Sequence, residues 1–460
     1  MRAIERLLAT NPGERKAMSM PSLLSAVPYD VTVIGASFAG LSFAGVAAAL
    51  GLRVLVIERD SQVGGIVRTT GVLFNDVLDI LDVPQRYLMN AVRRIHVQPP
   101  QQMPIEISSR VYRFFMADVP GMLRWMAAQA EQRGVELRTH TSFLAANHAQ
   151  DNLMHITLGI EEKTRRDVID HTSTHQQPHT RSHPQQHITI STRMLIGADG
   201  TRSQVAQSMG LEQNTRYLAG AEWLIENVPL DGETFYLVMN HELAPGYCVW
   251  LAPHGEITAL GVAGHPHAFS PGKTLHQAAQ VFKHIADLSK MRVVERKAGV
   301  IPTGGRLRRV YRNDEHGHVL LIGDAAGLCG AATGGGIYPA LISGRLAAHA
   351  VAHTLLDSDS EAIKAYQRNL AQANRLGHYL RIEDWLRWVL DNMKSNADVA
   401  MLYGLFNTDE GRKVLQHALL ETPIIGMDSN FFNLLRSLLS RHPRIYRSAF
   451  QAVWQRVTGT

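Results

Sequence analysis

"VTVIGASFAG", residues 31–40, decides the fold. Apolar residues run into Gly35, an Ala-rich stretch follows at 39–50, and after Gly51 comes a second apolar run, "RVLVIE", at 53–58. Strand, tight turn, helix and strand in so short a span make a βαβ unit with parallel strands. In such a turn the first glycine permits the bend, the second lets the backbone approach a pyrophosphate, and the third lets helix and strand pack closely. Here those positions hold Gly35, Ser37 and Gly40. Serine is small, its hydroxyl can itself face a phosphate oxygen, and the helix N-terminus beyond it still offers oriented N–H groups and a positive dipole end. Glu58, at the end of the second strand with Arg59 beside it, stands where a carboxylate accepts hydrogen bonds from an adenosine ribose. An acid there repels the 2′-phosphate of NADP and suits NAD or FAD.

The 460 residues exceed what one compact core supports, so two interleaved domains with a helical appendage are expected. Hydrophobic content of 45% with 19% charged residues is ordinary globular composition. The two cysteines, Cys248 and Cys329, exclude a disulfide scaffold and a CxxC zinc site, and they fit a reducing cytoplasm. No metal site is assigned. A net charge of +5 without a Lys/Arg run interleaved with aromatics gives no reason to expect nucleic-acid binding. Residues 1–28 lack the apolar run of a signal peptide, and nothing later approaches the roughly 20 apolar residues of a membrane span.

Further along, polar and apolar residues alternate over 92–107 around Pro99 and Pro100, predicting a hairpin of a different sheet. A helix is predicted from Asp118 as its cap, through Pro120 in the first turn, to Arg133 before Gly134. Short strands follow at 135–138, 141–147 and 153–158. Residues 171–187 hold five of the 22 histidines among Gln, Thr and Pro with no carboxylate, and read as a hairpin tip of biased composition rather than a metal site. Strand-rich sequence at 216–264 and 293–300, around a helix at 273–289, predicts a mainly antiparallel second sheet. A strand at 318–324, a glycine-rich loop and a helix at 336–354 come next, and the remainder is helical in pattern. Its last stretch, 429–460, carries five arginines and no acid among bulky apolar residues. It reads equally as a helix lying in a membrane interface and as a terminal helix packed on the core.

Two further stretches carry a family resemblance. "MLIGADGTRSQVA" (194–206) resembles the Asp-Gly fingerprint of flavoprotein hydroxylases, and "HVLLIGDAAG" (318–327) resembles their Gly-Asp fingerprint. With the Gly35 turn, their order and separation are similar to the p-hydroxybenzoate hydroxylase-like flavoproteins over about residues 30–350. Within that superfamily "GDAAGLCGAATGGGIYPALISGRLAA" (323–348) and "APGYCVWLAPHGEITALGVAG" (244–264) look most like the geranylgeranyl reductase family. The resemblance implies FAD as cofactor. Asp324, after Gly323, would contact its ribitol or ribose, Asp199 would sit near the pyrophosphate, and Arg68 would reach the phosphates or ribose. Gly334, Gly335, Gly336 and Ile337, in "TGGGI", would bring N–H groups to the flavin pyrimidine edge, where fixed dipoles stabilise the charge of the reduced ring.

The implied architecture is α/β: a Rossmann-type FAD-binding domain (29–90, 113–215 and 300–355) interleaved with a β-sheet substrate domain (91–112 and 216–299), an N-terminal extension (1–28) and a C-terminal helical region (356–460). The implied activity is that of an oxidoreductase: NAD(P)H or another donor reduces the flavin, which passes a hydride to a carbon-carbon double bond of an apolar, isoprenoid substrate. Tyr247, Trp250 and Leu251 would line the groove. Tyr247, Cys248 or water would supply the proton, and Trp250 reads alternatively as a core aromatic. Departures from the family are specific. Its Tyr is here Cys248, its Phe is Ala252, its loop Cys is replaced by "RTTG" with Thr69 and Thr70, its Pro is Ala331, and Gly335 replaces a polar or charged residue. The alternative is a single-component FAD monooxygenase using NAD(P)H and O2 on an aromatic or apolar substrate, although hydroxylases usually have His where this chain has Gly327. A halogenase is disfavoured because no lysine lies between Lys16 and Lys163. A prenyl binder that has lost FAD is a third reading.

Overall fold

The computed structural model describes residues 27–110, 113–149, 151–161, 186–268, 270–315, 317–372 and 376–416. The strand Tyr29–Ile34 lies at the centre of an eight-stranded sheet. Val54–Ile57 and then Glu136–Arg138 extend it on one side, Gln186–Gly197 and then Gly317–Leu321 on the other, all parallel. Tyr311–Asp314 closes one edge antiparallel, and Thr141–His148 with Met154–Ile160 folds onto the first half of Gln186–Gly197. Val31, Val33, Val54, Leu55 and Val56 are buried without alternation, as strands covered on both faces require. The chain leaves the central strand in one direction and returns on its other side. Ile34 and Gly197 therefore flank a topological switch point, the place where open α/β sheets bind ligands.

The helices Phe38–Ala49 and Ile337–Leu356 pack closely against each other over this sheet. A Cβ at Gly344 would lie 2.5 Å from Ala39 O, so the contact needs glycine there. The predicted helix after Asp118 spans Val119–Gln132, and its capping carboxylate accepts the Gly121 N–H at 2.9 Å.

The second sheet has seven strands in the order Arg292–Pro302, Tyr217–Glu226, Ile257–Gly264, Val249–His254, Thr234–Val238, Arg94–Gln98 and Ile105–Ser108. Only the pairing of Thr234–Val238 with Arg94–Gln98 is parallel. Side chains alternate between its faces. Trp223, Val249, Leu251 and Leu260 face the helix Pro271–Val281. Cys248, Trp250, Ala252 and Phe235 face the other way, toward Phe114 and Met116 of a small third sheet made of Val72–Leu73, Leu88–Val92 and Phe114–Ala117. Leu251 was expected to line a groove with Trp250. It is instead core on the opposite face, because adjacent strand residues cannot share a face. The helix expected over 273–289 ends at Val281, where fully buried Phe282 accepts the N–H of Ile285 as the chain turns.

C-terminal helices follow at Ala362–Gln372, Leu376–Asn392, Asn396–Phe406 and Asp409–Gln416. Residues 429–460, assigned a membrane-facing or packed helix, lie outside the described residues, as do 1–26 and the His-rich 171–185; Gln186 and His187 belong to a strand. No described helix is long and apolar enough to cross a membrane.

Candidate functional site

The predicted nucleotide residues converge at the switch point. Gly35 has φ +106°, and a Cβ on it would lie 2.4 Å from Ala198 O. That close approach brings the first βα turn against the Asp199 turn, and bonds from Ala198 N to Ile34 O (2.9 Å) and Ile322 N to Gly197 O (3.0 Å) join the three strand ends. A Cβ at Gly40 would stand 2.0 Å from Gly35 O, so helix and turn touch as its glycine implied. Ser37 is the exposed N-cap of Phe38–Ala49, and its side chain makes no capping bond. Its hydroxyl and the first-turn N–H groups are thus free to meet an anion together. Glu58 already holds the turn: Oε2 accepts from Ala36 N at 2.9 Å and Oε1 from Asp60 N at 3.0 Å. Arg59 lies 3.8 Å from Asp60, and Arg68 has Arg59, Asp60 and Glu58 as charged neighbours.

The Asp199 carboxylate accepts from Ser203 Oγ (2.6 Å), Gln204 N (2.7 Å) and Val205 N (3.1 Å). It is thereby turned to the short helix Gln204–Ser208, and what it presents at the switch point is backbone. Burial raises its pKa despite these bonds. Asp324 follows Gly323 in the tight turn Gly323–Ala326, with Oδ1 3.3 Å from where a Gly336 Cβ would stand. Burial raises its pKa to about 6, opposed by the Thr201 hydroxyl. Asn214 Nδ2 donates to both Thr201 O (3.0 Å) and Asp324 O (2.9 Å), tying the two fingerprint turns together.

The glycine loop leads into the N-terminus of Ile337–Leu356, where Gly336 occupies the cap position without a capping side chain. Not every N–H of this loop is available to a ligand. Ala332 N and Thr333 N donate to Glu383 Oε2 at 2.9 and 2.8 Å, and Gly334 N donates to Gly330 O at 2.8 Å. Gly335 N makes only a long contact, 3.4 Å, with Thr333 Oγ1. The N–H groups that remain available are that of Gly336, which makes no hydrogen bond among the described residues, and those of the first turn of the helix, beginning at Ile337. Gly334 has φ +73°, and a Cβ on it would come within 2.9 Å of the Tyr247 hydroxyl. That hydroxyl donates to Thr333 O at 2.5 Å, so Tyr247 joins the second sheet to the glycine loop. Glu383 is fully buried on Leu376–Asn392 between Tyr379 and Arg387, all three on one stripe at i, i+4 and i+8. Tyr379 O–H lies 3.2 Å from Thr333 Oγ1, and Arg387 Nη2 donates to Gly246 O.

On the inner face of the second sheet, Trp250 is buried and lies across Gly261, where a Cβ would stand 2.0 Å from its ring. That gap lets Trp250 Nε1 donate to Glu222 Oε2 at 3.0 Å. Thr70 O–H donates to the same oxygen at 2.6 Å, and Lys297 Nζ lies 3.5 Å from Oε1 on the neighbouring strand. Thr70 therefore anchors the "RTTG" loop to a buried ion pair. Cys248, two residues from Trp250, packs in the same apolar cluster as Met393, Val399 and Tyr403, and burial pushes its thiol up to about 12. Tyr247 is likewise held well above its usual value by burial and by Cys248 and Glu383 nearby. Neither is a ready acid at neutral pH.

Glu222, Lys297, Glu383 and Arg387 escaped the motif reading. The signals were there in muted form: Glu222 falls at an inward position of an alternating strand, and Glu383 and Arg387 fall on the apolar stripe of a helix.

A glycine-lined turn that a Cβ would fill, a helix N-terminus on each side of it, and carboxylates beside both fit a dinucleotide carrying a negatively charged ring. Residues 28–375 match the family model described as FAD binding domain. Digeranylgeranylglycerophospholipid reductase of Methanocaldococcus jannaschii is 24% identical over 395 residues, 83% of this chain and 92% of its own. A geranylgeranyl bacteriochlorophyll reductase-like structure from Thermoplasma acidophilum superposes with a TM-score of 0.72 at 18% identity, covering 92% of this chain and 99% of its own. A flavin-dependent brominase does so at 0.62 and 13%, covering 90% and 100%; these two likenesses concern the fold alone. The chain belongs to the FAD binding domain family and is an FAD-dependent oxidoreductase.

Proposed function

We propose that this protein reduces a carbon-carbon double bond of an apolar, isoprenoid substrate. The observation that carries this reading is the Tyr247–Thr333 hydrogen bond, which brings the inner face of the apolar second sheet to the glycine loop. Bound FAD, once reduced by NAD(P)H or another donor, supplies the hydride. The chain's own residues bind and orient. Gly35, Ser37 and the helix behind them receive the pyrophosphate, Glu58 and Arg68 the adenosine side, and Asp324 the ribitol. The first turn of Ile337–Leu356 faces the pyrimidine edge, where its dipole favours negative charge.

The wall opposite is apolar around Trp250 and Phe235, with the Thr70–Glu222–Lys297 anchor at its margin. The reductase name of the Methanocaldococcus jannaschii relative supports the same substrate class. The test is to reduce the bound flavin without oxygen and add a polyprenyl compound. Rapid reoxidation with saturated product is expected. Reoxidation by oxygen alone, with NAD(P)H consumption stimulated by an aromatic compound, would overturn the reading in favour of a monooxygenase.

A further inference from the structure

We propose that Glu383 is a positioning residue for the flavin-facing loop, and that it takes up a proton when the flavin is reduced. This rests on the reading above, in which the loop 330–336 lies at the pyrimidine edge of FAD. One carboxylate oxygen, Oε2, gathers Ala332 N, Thr333 N and Thr333 Oγ1 at 2.9, 2.8 and 3.1 Å, and so fixes the backbone just before the three glycines. The glycines leave no room for another arrangement. A Cβ at Gly330 would meet Tyr379 O–H at 2.3 Å and Glu383 Oε2 at 2.9 Å, and one at Gly335 would meet Tyr379 O–H at 2.7 Å. The other oxygen, Oε1, is buried and makes no hydrogen bond among the described residues. A buried carboxylate with one lone oxygen is costly as an anion, and that oxygen is where a proton can be held.

The titratable and charged groups facing Glu383 all disfavour or fail to neutralise its charge. Asp384 on its own helix repels it, Tyr379 and Tyr247 approach from two sides, and Cys329 with Asp324 behind it lies on the loop. Arg387, one turn along the helix, is directed to Gly246 O and Asp391. Burial raises the Glu383 pKa to about 7, against the three hydrogen bonds that lower it. Reduction of the flavin takes two electrons from a donor and one proton, and leaves negative charge at the ring edge next to the loop. That charge moves the Glu383 pKa further up, so a second proton passes from solvent to Oε1; no protein bond is made or broken.

The sign follows. Below about pH 7 Glu383 is neutral in both redox states and contributes no pH dependence. Above it, reduction carries the extra proton until the pH passes the higher pKa of the reduced state. The experiment is a midpoint titration of the bound flavin with a redox dye, in the wild type and in Glu383→Gln, over pH 5.5 to 9. The variant should follow one proton throughout, a tenfold change in the two-electron equilibrium constant per pH unit, about 30 mV. The wild type should follow that line at low pH and then steepen toward a hundredfold per unit above pH 7. Flavin affinity, read by fluorescence quenching of free FAD, should also fall in Glu383→Gln as the loop loses its strongest acceptor. A wild-type curve parallel to the variant at every pH overturns the proposal with the FAD reading intact. A wild type that quenches no FAD overturns both. The wild-type curve stands by itself if the variant does not fold.

Discussion

The end of the site proposed for the pyrophosphate and the end proposed to face the flavin are built on opposite plans. At Gly35 the close contacts come from backbone: Ala198 O against the turn, Gly35 O against Gly40, and N–H groups of one short helix. At Thr333 the loop is held by side chains from far along the chain, Tyr247 from the second sheet and Tyr379 and Glu383 from a C-terminal helix. The wall proposed for the substrate repeats the second plan, with Thr70, Glu222, Trp250 and Lys297 assembled from four separate segments. A backbone site tolerates side-chain change but not Cβ atoms. In a side-chain site each member is individually costly to lose.

The largest break is therefore expected at the wall proposed for the substrate. Glu222→Ala leaves the Lys297 ammonium, the Thr70 hydroxyl and the Trp250 N–H without their shared acceptor in a buried place. Removing one partner of such a pair costs about 3–5 kcal/mol. The midpoint of urea unfolding should fall accordingly. The double substitution Glu222→Leu with Lys297→Met should recover only part of that cost, since no orphaned charge remains but the Thr70 hydroxyl and the Trp250 N–H still lack their acceptor. A cost below about 1 kcal/mol for Glu222→Ala would show that water reaches the cluster, and the side-chain plan would lose its main support.

The same contrast explains what could be read from the sequence. Gly35, Ser37, Gly40, Glu58 and the two fingerprint turns are legible because backbone demands leave a local mark, a glycine or small residue at a fixed offset from a strand end. The parallel sheet, its switch point and the hairpin at 94–108 follow from periodicity for the same reason. Leu251 was misplaced although its strand was found, because a linear motif treats neighbours as companions and a strand sends them to opposite faces. Asp199 was read as sitting near the pyrophosphate, and its place at the switch point was legible, but not that its oxygens are engaged by Ser203, Gln204 and Val205, four to six residues downstream. Glu383 and Lys297 were not found at all. Their partners are 50 and 75 positions away in sequence, 383 against 333 and 297 against 222, and nothing short of the packing reveals those pairings.

The backbone plan can be broken at Gly35. An alanine there must adopt φ near +106° with its Cβ 2.4 Å from Ala198 O and 2.9 Å from Ala198 C. Strain and overpacking together should cost about 2–4 kcal/mol unless the turn opens. An opened turn loses the close approach on which pyrophosphate binding depends. Purified Gly35→Ala is expected to be colourless and to bind added FAD at least a hundredfold more weakly by equilibrium dialysis. Retained yellow colour at full stoichiometry would mean that this turn does not touch the cofactor.

Ser37 gives the smallest effect and the finest test, because it sits inside the backbone plan yet carries a side chain. Its hydroxyl makes no cap bond, so Ser37→Gly removes no contact within the protein and costs only the tenths of a kcal/mol separating serine from glycine at a helix start. Glycine would leave the turn and the first-turn N–H groups in place. If the pyrophosphate is held by those N–H groups, FAD affinity should change by less than about tenfold, or 1.4 kcal/mol, in either direction. A loss of a hundredfold or more would mean that the serine hydroxyl is itself a main phosphate ligand. The pyrophosphate end would then share the side-chain plan of the flavin-facing end, and the serine in place of the middle glycine would mark a different way of holding the same group.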